Sequence, residues 1–366
     1  MPASATPSPA TSAAASVSVE VVTDRTVWDH EVNGLGGHPL QLWGWGEVKS
    51  AGAWTAHRLR ITAGGHTAGL AQVLERPLPA QFKALTYVPR GPVVAHLDGA
   101  NTMRAVFGVG DSDTRNLVTN AVTDWARENV GGVGITLEPD WPVGTRADLP
   151  NRRYAPNPVL YPSTLILDLR KSEDELMSAM SKKTRQYIRK SLREDLEFRE
   201  VTTSKEIDAC LRIYRQTAER AGFGLHSDSY YHLVKTELGS ASPVFAAFAR
   251  SSADGPYDRP VSFVWFAASN TTSFELYGGM NDDGMNLRAN YGLKWHAICA
   301  MKDRGVIRYD VNGLLNDGIS NFKRGFAKHE DELVGSIDVP FSRWYSTWNS
   351  ALPTAKKVVR KLRGSH

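Results

Sequence analysis

An α+β fold made of two copies of one unit is what this sequence predicts, and three observations carry that expectation. A helix, a glycine stop and a strand occur in that order twice. In the first copy an apolar stripe through Leu117, Ala121, Val122 and Trp125 marks a helix over 113–129. Gly131-Gly132 stops it, and an apolar strand follows over 133–137. In the second copy a helix over 291–303 stops at Gly305 and leads into a strand over 306–311. The copies lie about 175 residues apart, far longer than a solenoid period. Length and composition agree: 366 residues, 42% hydrophobic and 22% charged, suit about two domains with sizeable cores. Each unit is expected to be a mixed sheet with helices packed on it.

The elements follow in order. Residues 1–16 are almost all Ala, Ser, Pro and Thr, with no basic stretch leading into an apolar one, so a disordered tail is expected there and not a secretory signal. Residues 17–22 and 57–62 read as strands. A proline-rich stretch over 149–162 separates a first domain, 17–162, from a second, 163–339. Ser172 and Glu175 form a capping-box pattern, and Ser181 caps a further helix. On that helix Lys182, Arg185, Arg189 and Arg193 fall within about 80° of each other, with no acid before Glu194. Such a stripe is either a solvated outer face or a row of phosphate contacts. Between 231 and 243 no heptad pattern exists, so no coiled-coil arm is expected.

Several classes of function are excluded or disfavoured. The two cysteines, Cys210 and Cys299, lie far apart without metal-ligand spacing, which argues against a disulfide framework or a zinc site and fits a reducing cytoplasm. No run of 18 apolar residues is present to span a membrane. The net charge of +4 is too small to imply a polyanionic partner, but basic residues cluster at 182–193, 323–328 and 356–363. The last cluster, with five cations beside Val358, Val359 and Leu362, is either a closing helix or a foothold on an anionic membrane face.

The most informative stretch is Gly318-Ile-Ser-Asn-Phe-Lys-Arg-Gly-Phe-Ala327, which sets Lys323 among glycines and aromatics just behind Tyr309-Asp-Val-Asn-Gly313. On a turn after a strand such a lysine can neutralise an oxyanion or a phosphate away from bulk water; the alternative is an exposed loop lysine. Gln41-Leu-Trp-Gly-Trp-Gly-Glu-Val-Lys49 is expected to be extended, with Trp43, Trp45, Glu47 and Lys49 sharing a face and the tryptophans in the core. Glu138 ends the first unit's strand, where an acid can face a cleft and accept a proton, or can close the turn before Pro139. Tyr87 and Arg90, beside a Gly-Pro turn, line a cleft or fix that turn.

Those motifs, with Tyr87-Val-Pro-Arg-Gly-Pro-Val93, Lys183-Thr-Arg-Gln-Tyr-Ile-Arg-Lys190 and Tyr291-Gly-Leu-Lys-Trp-His-Ala-Ile298, occur in the order and spacing of one family, and the chain resembles a FemABX aminoacyltransferase from about Trp28 onward. The resemblance implies two N-acetyltransferase-like (GNAT-like) domains, with 340–366 returning to the first, in the compact type without the arm. It implies transfer of an amino acid from aminoacyl-tRNA to the stem-peptide amine of a peptidoglycan precursor, either lipid II or UDP-MurNAc-pentapeptide. By it, Lys323 would meet the oxyanion, and Phe322 and Tyr277 would shape the aminoacyl channel. Lys49 and Arg220 would hold the precursor diphosphate, and Lys182, Arg185, Arg189 and Arg193 would face tRNA. Glu138 stands where the family usually has aspartate. No metal is implied. Coenzyme A is not expected, because Asn286-Leu-Arg-Ala-Asn-Tyr-Gly-Leu293 lacks the glycine nest that would cradle its pyrophosphate. The rival readings are an acyltransferase of this fold with another donor or acceptor, and a degenerate protein that only holds precursor or RNA. The expected location is the cytoplasm, or the inner face of the plasma membrane.

Overall fold

The computed structural model describes residues 16–95, 109–155, 158–315 and 317–350. The stretches expected to be a disordered tail and a basic C-terminal helix, up to residue 15 and over 356–363, lie outside them.

Two mixed sheets dominate, and the repeated grammar of the sequence is visible in both. The first holds β1 (Val17–Val21), β2 (Thr55–Ala63), β3 (His66–Pro77), β4 (Ala84–Pro89), β6 (Gly134–Glu138), β16 (Ile337–Pro340) and β7 (Arg153–Tyr154) in that spatial order, with β5 (Val93–Val94) beside β3. The second runs β10 (Glu197–Glu200), β11 (Val244–Arg250), β12 (Tyr257–Ala268), β13 (Thr272–Met280), β14 (Arg308–Asp310) and β9 (Ile166–Asp168). A small pair joins β8 (Ser163–Thr164) to β15 (Asp331–Glu332). In each large sheet one pair is parallel, β4 with β6 and β13 with β14, and a parallel pair needs a crossover. The crossovers contain the two helices read from the sequence: α3 (Ser112–Asn129) and, numbered in chain order, α9 (Ala289–Asp303).

Both glycine stops are required by the backbone. Gly132 has φ 83°, and a Cβ there would stand 2.0 Å from the carbonyl oxygen of Ala84; Gly305 has φ 82°. The chain has rejoined the first sheet by Ile337, slightly before residue 340, because β16 fills the space between β6 and β7.

One expectation fails locally. Residues 41–49 are not extended: a 3-10 turn, Pro39–Gln41, leads into helix α2 (Trp43–Ser50), which follows α1 (Arg25–Gly34). The close backbone approaches of the two glycines decide this. A Cβ on Gly44 would meet the Glu237 carbonyl oxygen at 2.2 Å, and one on Gly46 would meet Gln72 Oε1 at 2.3 Å. Trp43 and Trp45 therefore diverge. Trp45 enters the core, while Trp43 stacks on the Arg58 guanidinium at 3.5 Å.

The remaining helices are α4 (Glu173–Ala179), α5 (Lys182–Ser191), α6 (Ser204–Ala221), α7 (Asp228–Leu238), α8 (Asp282–Asn286) and α10 (Gly318–Arg324). Helix α3 packs through Val118 and Val122 on Leu59, Val73, Ile135 and Val339 of the first sheet. Helices α5 and α9 pack through Ile188, Leu293 and Ile298 on Phe266 and Tyr309 of the second. A third core is shared: Trp28, Val32 and Trp45 from α1 and α2 meet Ile207, Leu211, Tyr231, Trp265 and Phe274. Burial pushes both thiols up to about 12, with the charges of Glu173 and Asp303 adding to it at the partly buried Cys299, so neither is a reactive thiolate.

A buried polar cluster pins the two sheets together. Arg308, at the start of β14, forks onto both carboxylate oxygens of Asp140, two residues beyond β6; the second contact is 3.0 Å. Burial raises the Asp140 carboxyl, but the charge and hydrogen bond of Arg308, with His38 and Arg90, together outweigh it and hold the group well below the usual range. A ring nitrogen of His38 and oxygens of Asp140 and Asp310 lie within 4.8 Å of one another. The Arg308 and Arg90 guanidiniums act on the same carboxylates, so the group forms an internal ion network. Burial keeps His38 neutral, far below its ordinary pKa.

Replacing one member of this pair strands the other. Asp140→Asn should lower the unfolding free energy by about 3–5 kcal/mol, whereas Asp140→Leu with Arg308→Met should recover most of it; urea denaturation measures both. A loss of under about 1 kcal/mol in Asp140→Asn would show that the pair does not hold the sheets.

Candidate functional site

A cavity of about 420 Å³ opens between α6, β12, β13, α9 and α10. Its wall includes a register slip. Trp265 pairs with Tyr277 and Phe266 with Glu275, so Leu276 has no partner and β13 bulges. Four of the expected residues come together here, Arg220, Tyr277, Phe322 and Lys323, together with Glu275 and Lys294, which the sequence reading did not single out.

Lys323 lies in the last turn of the short helix α10 and not on a turn after a strand, because the Asp317 side chain caps that helix, accepting from the Ser320 amide at 2.7 Å. Its Nζ donates to the carbonyl oxygens of Asn312 and Gly313, the latter at 3.2 Å. Those carbonyls converge because both residues are left-handed, φ 55° and 56°. Asn312 is itself held, its amide nitrogen donating to Asp310 at 2.8 Å and its Nδ2 to the Glu275 carbonyl at 2.9 Å. Burial pulls the Lys323 ammonium down to about 8; Glu275, Asp310 and Asp317 act against that, and Lys294 adds to it.

Beside it, Lys294 donates to both oxygens of Glu275, at 2.7 and 2.9 Å, and Tyr309 Oη donates to Oε1 at 2.6 Å. Burial, the Glu275 charge and this hydrogen bond hold the Tyr309 phenol far above its ordinary pKa. Phe322 stands edge-on to Tyr291 and Phe326, at 4.9 and 5.2 Å. Tyr277 packs in an aromatic nest with Tyr214, Tyr231 and Trp265. Arg220, in the last turn of α6, donates to the Met280 carbonyl and meets Asp282 at 3.3 Å.

The other expected residues stand apart from the cavity wall. Lys49 lies in the last turn of α2, donating to Tyr230 Oη at 2.9 Å with Nζ 4.3 Å from the Trp45 ring; Tyr230 in turn bonds Tyr277, so the amine adjoins the cavity through one phenol. Glu138 does not face a cleft. It is 1% exposed, and its carboxylate accepts from the Val159 amide at 2.6 Å, the Leu160 amide at 3.1 Å and the hydroxyls of Tyr87 and Ser336. With its lone pairs spent on a returning loop, it clasps the structure and has no capacity left to act as a base. Tyr87 serves that clasp and does not line the cavity. Arg90 is likewise interior, at φ 49°, donating to the Tyr161 carbonyl at 3.3 Å.

Helix α5 has the expected Ser181 cap, and Lys182 and Arg189 are exposed on it. Two members of the stripe differ from expectation. Arg185 is committed to the helix entrance, donating to the Met180 carbonyl at 2.6 Å, and Arg193 lies beyond the last helical residue, exposed. The start of α5 is tied to the end of α10: the Ser181 amide donates to the Gly325 carbonyl at 3.0 Å. The basic face thus begins beside the Lys323 segment.

The chain matches the model of the FemAB family over residues 160–253 and 247–351. It is similar to lipid II:glycine glycyltransferases of Staphylococcus epidermidis, at 20% identity over 90% of this chain and 95% of the relative. The Staphylococcus aureus protein of that name is 24% identical over 89% and 95%. The crystal structure of FemX superposes with a TM-score of 0.75 at 18% identity, covering 88% of this chain and 96% of that one, which shows the shared fold.

If Glu138 is a clasp, Glu138→Gln turns an amide N–H toward backbone donors and should lower the unfolding free energy by about 1–3 kcal/mol in urea denaturation. Unchanged stability would mean the carboxylate is not needed as an acceptor.

Proposed function

The chain belongs to the FemAB family, and from that premise we propose that it is an aminoacyltransferase of peptidoglycan-bridge synthesis that takes its amino acid from aminoacyl-tRNA. The observation that carries the reading is the Lys323 ammonium, with two donors spent on carbonyls and the third available at an aromatic cavity wall. In the reaction the stem-peptide amine attacks the ester carbonyl carbon. A C–N bond forms, the carbonyl oxygen takes the charge, and collapse breaks the C–O bond to the tRNA ribose. The nitrogen's proton leaves through solvent and the ribose oxygen gains one. Lys323 stabilises the oxyanion, and water exclusion by Phe322 and Tyr277 strengthens that contact. An activated ester needs no organic cofactor, and neither a metal nor coenzyme A enters the scheme.

Similarity to lipid II:glycine glycyltransferases supports a stem-peptide acceptor on a peptidoglycan precursor. Lys49 and Arg220 flank the cavity as cations suited to its diphosphate. Lys182, Arg189 and Arg193 are exposed and meet no carboxylate among the described residues, which suits contact with tRNA phosphates. No described helix is long and apolar enough to cross a membrane. We place the enzyme in the cytoplasm, where charged tRNA is.

Lys323→Met should lower turnover by about 10²-fold with the fold intact. Oxyanion stabilisation needs the protonated amine, so it is present below pH 8 and lost above. The ratio of wild-type to Lys323→Met turnover, in which acceptor ionisation cancels, should be flat at low pH and fall above about 8. A ratio near one at every pH removes Lys323 from the mechanism.

Transfer should stop after ribonuclease treatment. Replacing Lys182, Arg189 and Arg193 by Gln should reduce the salt slope of tRNA binding by about 2 and leave precursor binding alone. Equal losses for both ligands would make the basic face a solvated surface only.

A further inference from the structure

Among the described residues lining the cavity, Glu275 is the one carboxylate, and it faces the same space as Lys323. A half-buried ammonium beside a carboxylate in a water-poor cavity would ordinarily pair with it. Here it does not. Both Glu275 oxygens are taken by Lys294, at 2.7 and 2.9 Å, and Oε1 also by Tyr309, at 2.6 Å. Lys323 instead spends two of its three N–H groups on carbonyls that cannot accept its proton.

We propose that Lys294 is a positioning residue: by occupying Glu275, it keeps Lys323 from an ion pair and leaves one N–H free for the reacting carbonyl oxygen. This rests on the reading of Lys323 as the oxyanion's partner. The rest of the surroundings fits. Lys294 Nζ is backed by the rings of Phe322 and Phe326 at 5.2 and 5.5 Å, so it cannot readily turn away from Glu275. Asp310, at the end of β14, accepts at one oxygen from Thr164 Oγ1 at 2.5 Å and the Asn312 amide at 2.8 Å; its other oxygen takes no hydrogen bond from the described residues, and the charges of Arg308 and Arg90 act on the group. Asp317 is the cap of Lys323's own helix. From α6, Arg220 is turned to Asp282, and from α10 Arg324 is paired with Glu330 at 2.8 Å. Two lysines and one carboxylate leave a net positive charge in the cavity, carried on the amine that is not paired.

The test uses the full chain with three variants, Lys294→Met, Glu275→Gln and the double, and two readouts. The first is turnover. The second, independent of activity, is the pH midpoint for dinitrophenylation of Lys323 by fluorodinitrobenzene, followed by peptide mass spectrometry. Lys294→Met frees Glu275 to capture Lys323, so the midpoint should move up and turnover should fall about 10- to 100-fold. Glu275→Gln removes the attraction but keeps the repulsion of Lys294, so the midpoint should move down. In the double variant Glu275 can no longer capture Lys323, and turnover should be at least about tenfold above that of Lys294→Met. If Lys294→Met does not fold, the midpoint of Glu275→Gln must still lie below that of the double variant, where no unpaired charge is buried.

The proposal is overturned if the midpoint is the same in all variants that fold, or if the double variant is as slow as Lys294→Met. Lys323→Met, run alongside, separates the two ideas. Wild-type turnover in that variant removes the oxyanion reading itself. A slow Lys323→Met with an unmoved labelling midpoint in the Lys294 and Glu275 variants removes only the positioning role.

Discussion

The position of everything else follows from the ion pair between Arg308 and Asp140. It joins the start of β14, a strand of the second sheet's parallel pair, to the turn after β6, its counterpart in the first, and so fixes how the two sheets meet. A bidentate guanidinium–carboxylate contact is directional, so it sets an orientation as well as a distance. From β14 the chain runs two residues to the left-handed turn that begins at Asn312 and continues in Gly313, whose carbonyls receive Lys323. The cavity wall is therefore referenced to the same buried cluster that aligns the sheets. Burying two charges is costly, and apolar residues of the same volume could be as stable. What the pair supplies is registry between the units.

The site shows the same economy. Three lysines, Lys49, Lys294 and Lys323, stand among aromatic rings, each in a different electrostatic state. One is neutralised by a carboxylate, one bonds a phenol and lies near an indole, and one leans on carbonyl dipoles with its proton less firmly held. Of the two that no carboxylate neutralises, Lys323 is the one at the cavity wall, and a carbonyl attracts its ammonium without cancelling it, which is the state the proposed role requires.

Much of this was readable in the chain. The helix–glycine–strand repeat was legible because Gly132 and Gly305 need left-handed backbone, and that need is local. Ser172, Ser181 and the stripe at Lys182 and Arg189 were legible for the same reason, since caps and helical faces are set within a few residues. Lys323 stood out through its glycines and aromatics, although its helix did not; seven residues give no periodicity to read. Glu275 and Lys294 could not be found that way, since a strand residue and a helix residue 19 apart meet only once the crossover has folded back. Trp43 and Trp45 misled because alternation over so short a span fits a strand, while the glycine contacts that force a helix are tertiary. Glu138 misled for a deeper reason. An acid at a strand's end reads alike whether water or the amides of Val159 and Leu160 will meet it.

The strand β16 carries a consequence for how the protein is made. It closes the first sheet by pairing with β6, and Thr136 bonds Asp338 across 202 residues of sequence. Until a ribosome has produced that distant strand, β6 is an open edge whose unpaired amides and carbonyls invite pairing with a neighbouring nascent chain. The N-terminal half must wait, half-built, while the second sheet is synthesised and folds. The chain's vulnerable period is thus set by translation speed through residues 163–336, and slow decoding there should cost more soluble protein than slow decoding anywhere before it.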